Sequence, residues 1–136
     1  MKNQIEFEEL KISKKYGEQI NRIFYVVKNG RAKVIENFKG LNQDEKDLIK
    51  DLISKLATVK NFKSPKIRYN LRGYNYGEIR PKPHRFFFFQ NSGRNIIFFE
   101  YISKKKNSLK DSFYKEIDKE KRCYEQEFNR FIKGSN

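Results

Sequence analysis

The sequence predicts an α+β domain. Its centre is a mainly antiparallel, twisted sheet of about four or five strands, packed by N-terminal helices and a long C-terminal helix. Three observations point there. Two phenylalanine-rich runs, residues 85–90 and 95–102, flank a short Asn91-Ser92-Gly93 turn; apolar aromatic runs of this length between turn residues read as buried strands of a hairpin. Residues 42–60 place Leu48, Ile49, Leu52, Ile53 and Leu56 on one face at helical spacing. Residues 108–133 do the same with Phe113, Ile117, Tyr124, Phe128 and Phe131. Helices and strands grouped along the chain, rather than alternating, suit an α+β plan.

Taken in order, residues 1–20 form an arm with a brief alternation at Ile5-Glu6-Phe7, continued at even spacing by Leu10 and Ile12, the pattern of an edge element. Residues 22–28 (RIFYVVK) are β-branched and aromatic throughout, a stronger strand signal. Asn29-Gly30 follows as a favoured hairpin turn, yet Val34, Ile35 and Phe38 share a helical face, and a helical turn is expected over 34–38. Asn42 caps the next helix, with Glu45 three residues on completing a capping box. Pro65 disfavours helix in the residue before it, so the helix ends ahead of it. Over residues 66–75, Ile67, Tyr69 and Leu71 alternate with polar neighbours, as in a strand. Residues 76–80 begin another strand, stopped by Pro81-Lys82-Pro83; two prolines without N–H donors place this segment on the sheet rim. The hairpin follows, then Lys104-Lys105-Lys106, then the last helix, with Ser108 or Asp111 as cap and Gly134 as stop. The whole chain, 1–136, reads as a single domain whose central sheet occupies 66–103.

Composition narrows the functional classes. With 13 Phe, 8 Tyr and 37% hydrophobic residues, the chain has apolar stock enough to build a core. No run approaches the ~20 apolar residues of a membrane span, and the start, MKNQIEFEEL, has no apolar segment of a secretory signal. The lone cysteine, Cys123, excludes an internal disulfide framework, fits a reducing cytoplasm, and is expected as a packed thiol in the last helix. Net charge is +14, unevenly placed: residues 60–106 carry 12 Lys/Arg against 2 Asp/Glu, whereas 1–59 carry 12 against 9 and 107–136 carry 7 against 6. A segment depleted of acids attracts polyanions, nucleic acid first. One His and one Cys far apart do not make a zinc site, and no glycine loop for nucleotide phosphates is present. Neither a metal nor another cofactor is expected.

On these residues the chain resembles the RelE/HigB superfamily of bacterial type II toxin–antitoxin toxins, in its phage-derived HigB-like branch. The likeness lies in Glu78-Ile79-Arg80, in the tight return to His84-Arg85 and the apolar strand 86–89, and in the second apolar strand ending at Lys104-Lys105 before a terminal helix. It covers roughly residues 20–122, and the chain departs from the pattern in its N-terminal arm, its longer last helix and its proline-containing return. The resemblance implies a RelE-like fold and a metal-independent endoribonuclease that cleaves mRNA, mostly on the ribosome. It implies as partners a cognate antitoxin, in a toxin–antitoxin hetero-oligomer, together with mRNA and the ribosome, and no membrane.

Metal-free RNA scission needs cations to stabilise charge on the phosphate and groups to move protons. By resemblance, the expected catalytic set is Arg80, Arg85, Lys104, Lys105, His84 and Tyr114. Arg80 grips the scissile phosphate, with an ion pair to Glu78 or Glu100 as its alternative role. Arg85, entering a Phe-rich strand, must find a partner or reach the rim. His84 alone has an unperturbed pKa near neutrality. Lys66, Arg68, Arg72, Lys82, Arg94 and Lys106 are the expected RNA-binding cations. Two alternatives stay open: a ParE-like toxin that inhibits gyrase without nuclease activity, and a non-catalytic single-stranded nucleic-acid-binding module.

Overall fold

Alternate residues of the two phenylalanine-rich runs face opposite sides of one sheet, and helices cover both sides. This is why the runs carry no polar alternation. The computed structural model describes residues 3–92, 94–103 and 110–134. Its strands are β1 (Ile5–Glu9), β2 (Arg22–Lys28), β3 (Ile67–Arg68), β4 (Gly77–Ile79), β5 (His84–Asn91) and β6 (Asn95–Ser103); its helices are α1 (Lys33–Lys39), α2 (Gln43–Thr58) and α3 (Asp111–Gly134). Short 3₁₀ turns occupy Lys14–Tyr16 and Leu71–Gly73.

The strands form a single six-stranded sheet in the order β1-β2-β6-β5-β4-β3. The α+β class stands, but the sheet is mixed and larger than the four or five strands expected. β2 and β6 run parallel, pairing Arg22 with Asn95 through Tyr25 with Phe98; the other four pairings are antiparallel. The sixth strand is the N-terminal arm, whose Ile5–Glu9 pairs along the edge of β2. The strand expected over 66–75 is only two residues long, because Asn70 and Arg72 take left-handed backbone and turn the chain.

Two cores result. On one face, Ile49, Leu52 and Leu56 of α2 and Val34 of α1 pack on Ile23, Phe86, Phe88, Ile96 and Phe98. On the other, Ile117, Tyr124 and Phe128 of α3 pack on Phe24, Phe87, Phe89, Ile97 and Phe99. The capping box of α2 forms as read: Asn42 accepts from the Glu45 N–H at 2.9 Å, and Glu45 accepts from the Asn42 N–H at 3.1 Å. Cys123 is exposed, not packed; it stands one residue before the buried Tyr124, about 100° around the helix from the stripe. Among the described residues, no helix is long and apolar enough to cross a membrane.

A β-bulge shapes the α3 face. Phe87 opposes Glu100 while Phe88 opposes Phe98, so Phe99 is the extra residue. Both Phe99 and Glu100 thereby lie on the α3 side, where Glu100 meets Glu120 and the Nζ of Lys33.

Candidate functional site

The register lines up one row of side chains on the α3 face. Arg68 opposes Glu78, Glu78 opposes Phe87, and Phe87 opposes Glu100; directly paired residues share a face. Arg85, two residues from Phe87 on β5, falls on that face as well, and Arg80, directly after β4, lies close enough to Glu78 and Arg68 to feel their charges. Gly77 permits the close approach of β3 and β4 that brings Arg68 in: a Cβ there would strike the Arg68 carbonyl and lie 2.8 Å from the Phe88 ring.

Arg85 and Glu78 are the buried floor of this cluster, at 1% and 0% exposure. Nη1 of Arg85 lies 3.7 Å from a Glu78 carboxylate oxygen and donates at 3.5 Å to the Tyr114 hydroxyl. Among the described residues neither Glu78 oxygen accepts a hydrogen bond. Burial pushes the Glu78 carboxyl above its ordinary range, and the charges of Arg85, Arg80 and Arg68 oppose that shift in part. Above the floor stand Arg80, half-buried, and Arg68 and Arg72, both exposed. Burial, and then the like charge of Arg68, lowers the Arg80 guanidinium from its usual value, which makes an incoming anion favourable there.

The turn between β3 and β4 ties this cluster to the start of α3. Arg72 sits at φ 52°, a left-handed conformation disfavoured for a side chain of its size. Its guanidinium lies 5.2 Å from the centre of the Tyr114 ring, and Nη1 is 3.5 Å from Asp111 in the first turn of α3. The Tyr76 hydroxyl donates at 2.8 Å to the Tyr114 carbonyl. Three arginines, Arg72, Arg80 and Arg85, therefore meet around Tyr114, with Arg68 beside Arg80, and the helix N-terminus adds partial positive charge there. Such an arrangement binds and polarises phosphodiester oxygens.

The structure thus brings together Arg68, Arg72, Arg80, Arg85 and Tyr114. Lys66 is exposed beside them, its carbonyl accepting from the Arg80 N–H at 2.7 Å. Lys82 is exposed in the rim turn. His84 is elsewhere: Nδ1 hydrogen-bonds the Tyr101 hydroxyl and Nε2 the second carboxylate oxygen of Glu45, each at 2.7 Å. That places its side chain on the α2 side, apart from the arginines. Arg94 follows the hairpin turn at the opposite end of β5 and β6. Lys104, Lys105 and Lys106 lie outside the described residues.

Glu78, the floor of the cluster, and Glu100 in the same cross-strand row were not among the expected site residues. The signal was present, since they are the two acids of the basic segment 60–106 and both interrupt apolar strands. Both are buried, so the surface of that segment is more uniformly basic than its count. No family model matches the chain, and no curated protein or solved structure shows significant similarity to it.

Proposed function

We propose that this protein is the toxin component of a type II toxin–antitoxin module, a metal-independent endoribonuclease that cleaves mRNA, with the ribosome as its place of action. One observation carries the reading: Arg72, Arg80 and Arg85 surround Tyr114 at the start of α3, with Arg68 beside Arg80. Scission by the ribose 2′-OH places extra negative charge on the phosphate, and preorganised guanidinium groups stabilise it without a metal. Arg80, half-buried and crowded by like charge, holds the scissile phosphate. Arg68 and Arg72, at the open edge, position neighbouring phosphates. Arg85 acts from behind: buried beside Glu78 and reaching Tyr114, it orients the ring and the local field rather than meeting RNA. A cognate antitoxin would silence this surface by covering it.

The test is purified protein incubated with ribosomes and mRNA, with mapping of new 5′ ends. Cleavage that falls at least about 100-fold in Arg80→Ala, the scale of losing one transition-state donor, supports the reading. Full cleavage by Arg80→Ala removes the assignment of Arg80. Inhibition of DNA supercoiling with no RNA cleavage replaces the nuclease with a gyrase inhibitor.

A further inference from the structure

A second site lies on the other face of the sheet. A cleft of about 840 Å³ opens between the end of α2, the segment that follows it, and the hairpin end of β5 and β6. That volume is within the range of small-molecule and cofactor sites. The exposed large apolar side chains of the described residues, Ile20, Val59 and Tyr69, all line it. So do the cations Lys60, Lys63 and Arg94 and the amides Asn21, Asn61, Asn70 and Gln90, whereas no Asp or Glu is among its described lining residues.

Tyr69 is the organising group. Its ring stands edge-on to Phe88 at 5.9 Å between centroids, and its hydroxyl donates to the Phe62 carbonyl at 2.8 Å. The ring is therefore held from two directions while remaining 38% exposed and lining the cleft. The walls are made by Asn61 and Asn70, both with left-handed backbone (φ 54° and 50°). Asparagine tolerates that conformation and leaves its amide available.

We propose that this cleft binds a nucleotide unit, a base with its phosphate. Tyr69 stacks on the base, the amides meet its polar edge, and Lys60, Lys63 and Arg94 hold the phosphate. An acidic apolar peptide would use the cations equally well, but it leaves a fixed planar ring and the amides of Asn61, Asn70 and Gln90 without a matching role, Asn21 already donating to the Leu56 carbonyl. The amides offer donor and acceptor pairs that base edges present in return. The site does not depend on the nuclease reading: it is on the opposite face from Arg80 and Arg85 and shares no side chain with them.

The experiment is fluorescence anisotropy of a labelled eight-residue uridine oligonucleotide, using the full chain with free AMP or UMP as competitor. Tyr69→Leu, which keeps apolar cover over Phe88, is expected to weaken binding about tenfold, the scale of one lost base stack. Tyr69→Phe keeps the ring and retains binding. Lys60→Glu with Lys63→Glu, both exposed, weakens it at least as much. Displacement by mononucleotide identifies a free nucleotide as a sufficient ligand. Displacement by oligonucleotide alone identifies a single strand; either supports the site. Unchanged affinity in both the Tyr69→Leu and the double-lysine proteins overturns it, as does displacement by polyglutamate from a cleft that takes no mononucleotide.

Discussion

At the scale of residues, the pair Arg85–Glu78 decides what the arginine cluster is. Both groups are almost fully buried and their closest approach is 3.7 Å. Removing Arg85 leaves the buried Glu78 with only Arg80 and Arg68 to offset its charge, whereas replacing both members with apolar groups can be nearly neutral. Arg85→Met is therefore expected to destabilise the fold by about 3–5 kcal/mol, and Arg85→Met with Glu78→Leu to recover most of the loss. Urea denaturation of the two proteins measures it. A single variant as stable as the parent would show that Arg85 does not compensate Glu78, and would return it to the substrate-contacting set. His84 teaches the same lesson from the other side. As the one histidine it was a candidate for proton transfer, yet its neighbours Tyr101 and Glu45 engage both ring nitrogens on the α2 side.

At the scale of elements, α2 shows local chemistry and tertiary contact joined in one residue. Glu45 closes the capping box through one oxygen and holds His84 of β5 through the other. Asn42→Ala removes the reciprocal bond to the Glu45 N–H and is expected to cost about 1 kcal/mol, read as a lower denaturation midpoint at unchanged m-value. A cost near zero would mean that β5 alone holds the start of α2. For α3 the apolar stripe was readable from spacing. The burial of Asp118 and Lys121 on that helix was not, since it is set by what packs on the helix rather than by their i,i+4 partners Arg122 and Glu125.

At the scale of the whole molecule, β6, α3 and α1 meet around a carboxyl pair. Glu100 of β6 lies beside Glu120 of α3, with Lys33 of α1 on Glu100. Burial, and then the nearby charge of Glu100, pushes the Glu120 carboxyl up to about 8. The folded protein then binds a proton that the unfolded chain releases at ordinary carboxyl pKa, so stability falls as pH rises from about 4.5 to about 8. The raised Glu78 carboxyl contributes with the same sign. Melting temperature is expected to increase on acidification from pH 8 to about pH 5.5, and Glu120→Gln to flatten that slope. A slope identical in the two proteins would remove Glu120 as its source.

Much of this protein was determined locally. The helix at 42–60, its cap, the hairpin strands and the basic middle segment follow from periodicity, turn chemistry and charge, which act over a few residues. Arg68, Arg72, Arg80 and Arg85 were likewise visible as an excess of cations. Pairing across distance was not. Nothing in RIFYVVK states that it runs parallel to β6, or that the arm at Ile5–Glu9 closes the sheet edge beside it. The bulge that turns Glu100 toward α3, the burial of Glu78 under the arginines, and the cleft around Tyr69 share that origin. Each is set by which strand lies next to which and by the face a register presents. Those choices are made by burying two apolar faces at once, a condition on the whole chain rather than on any stretch of it.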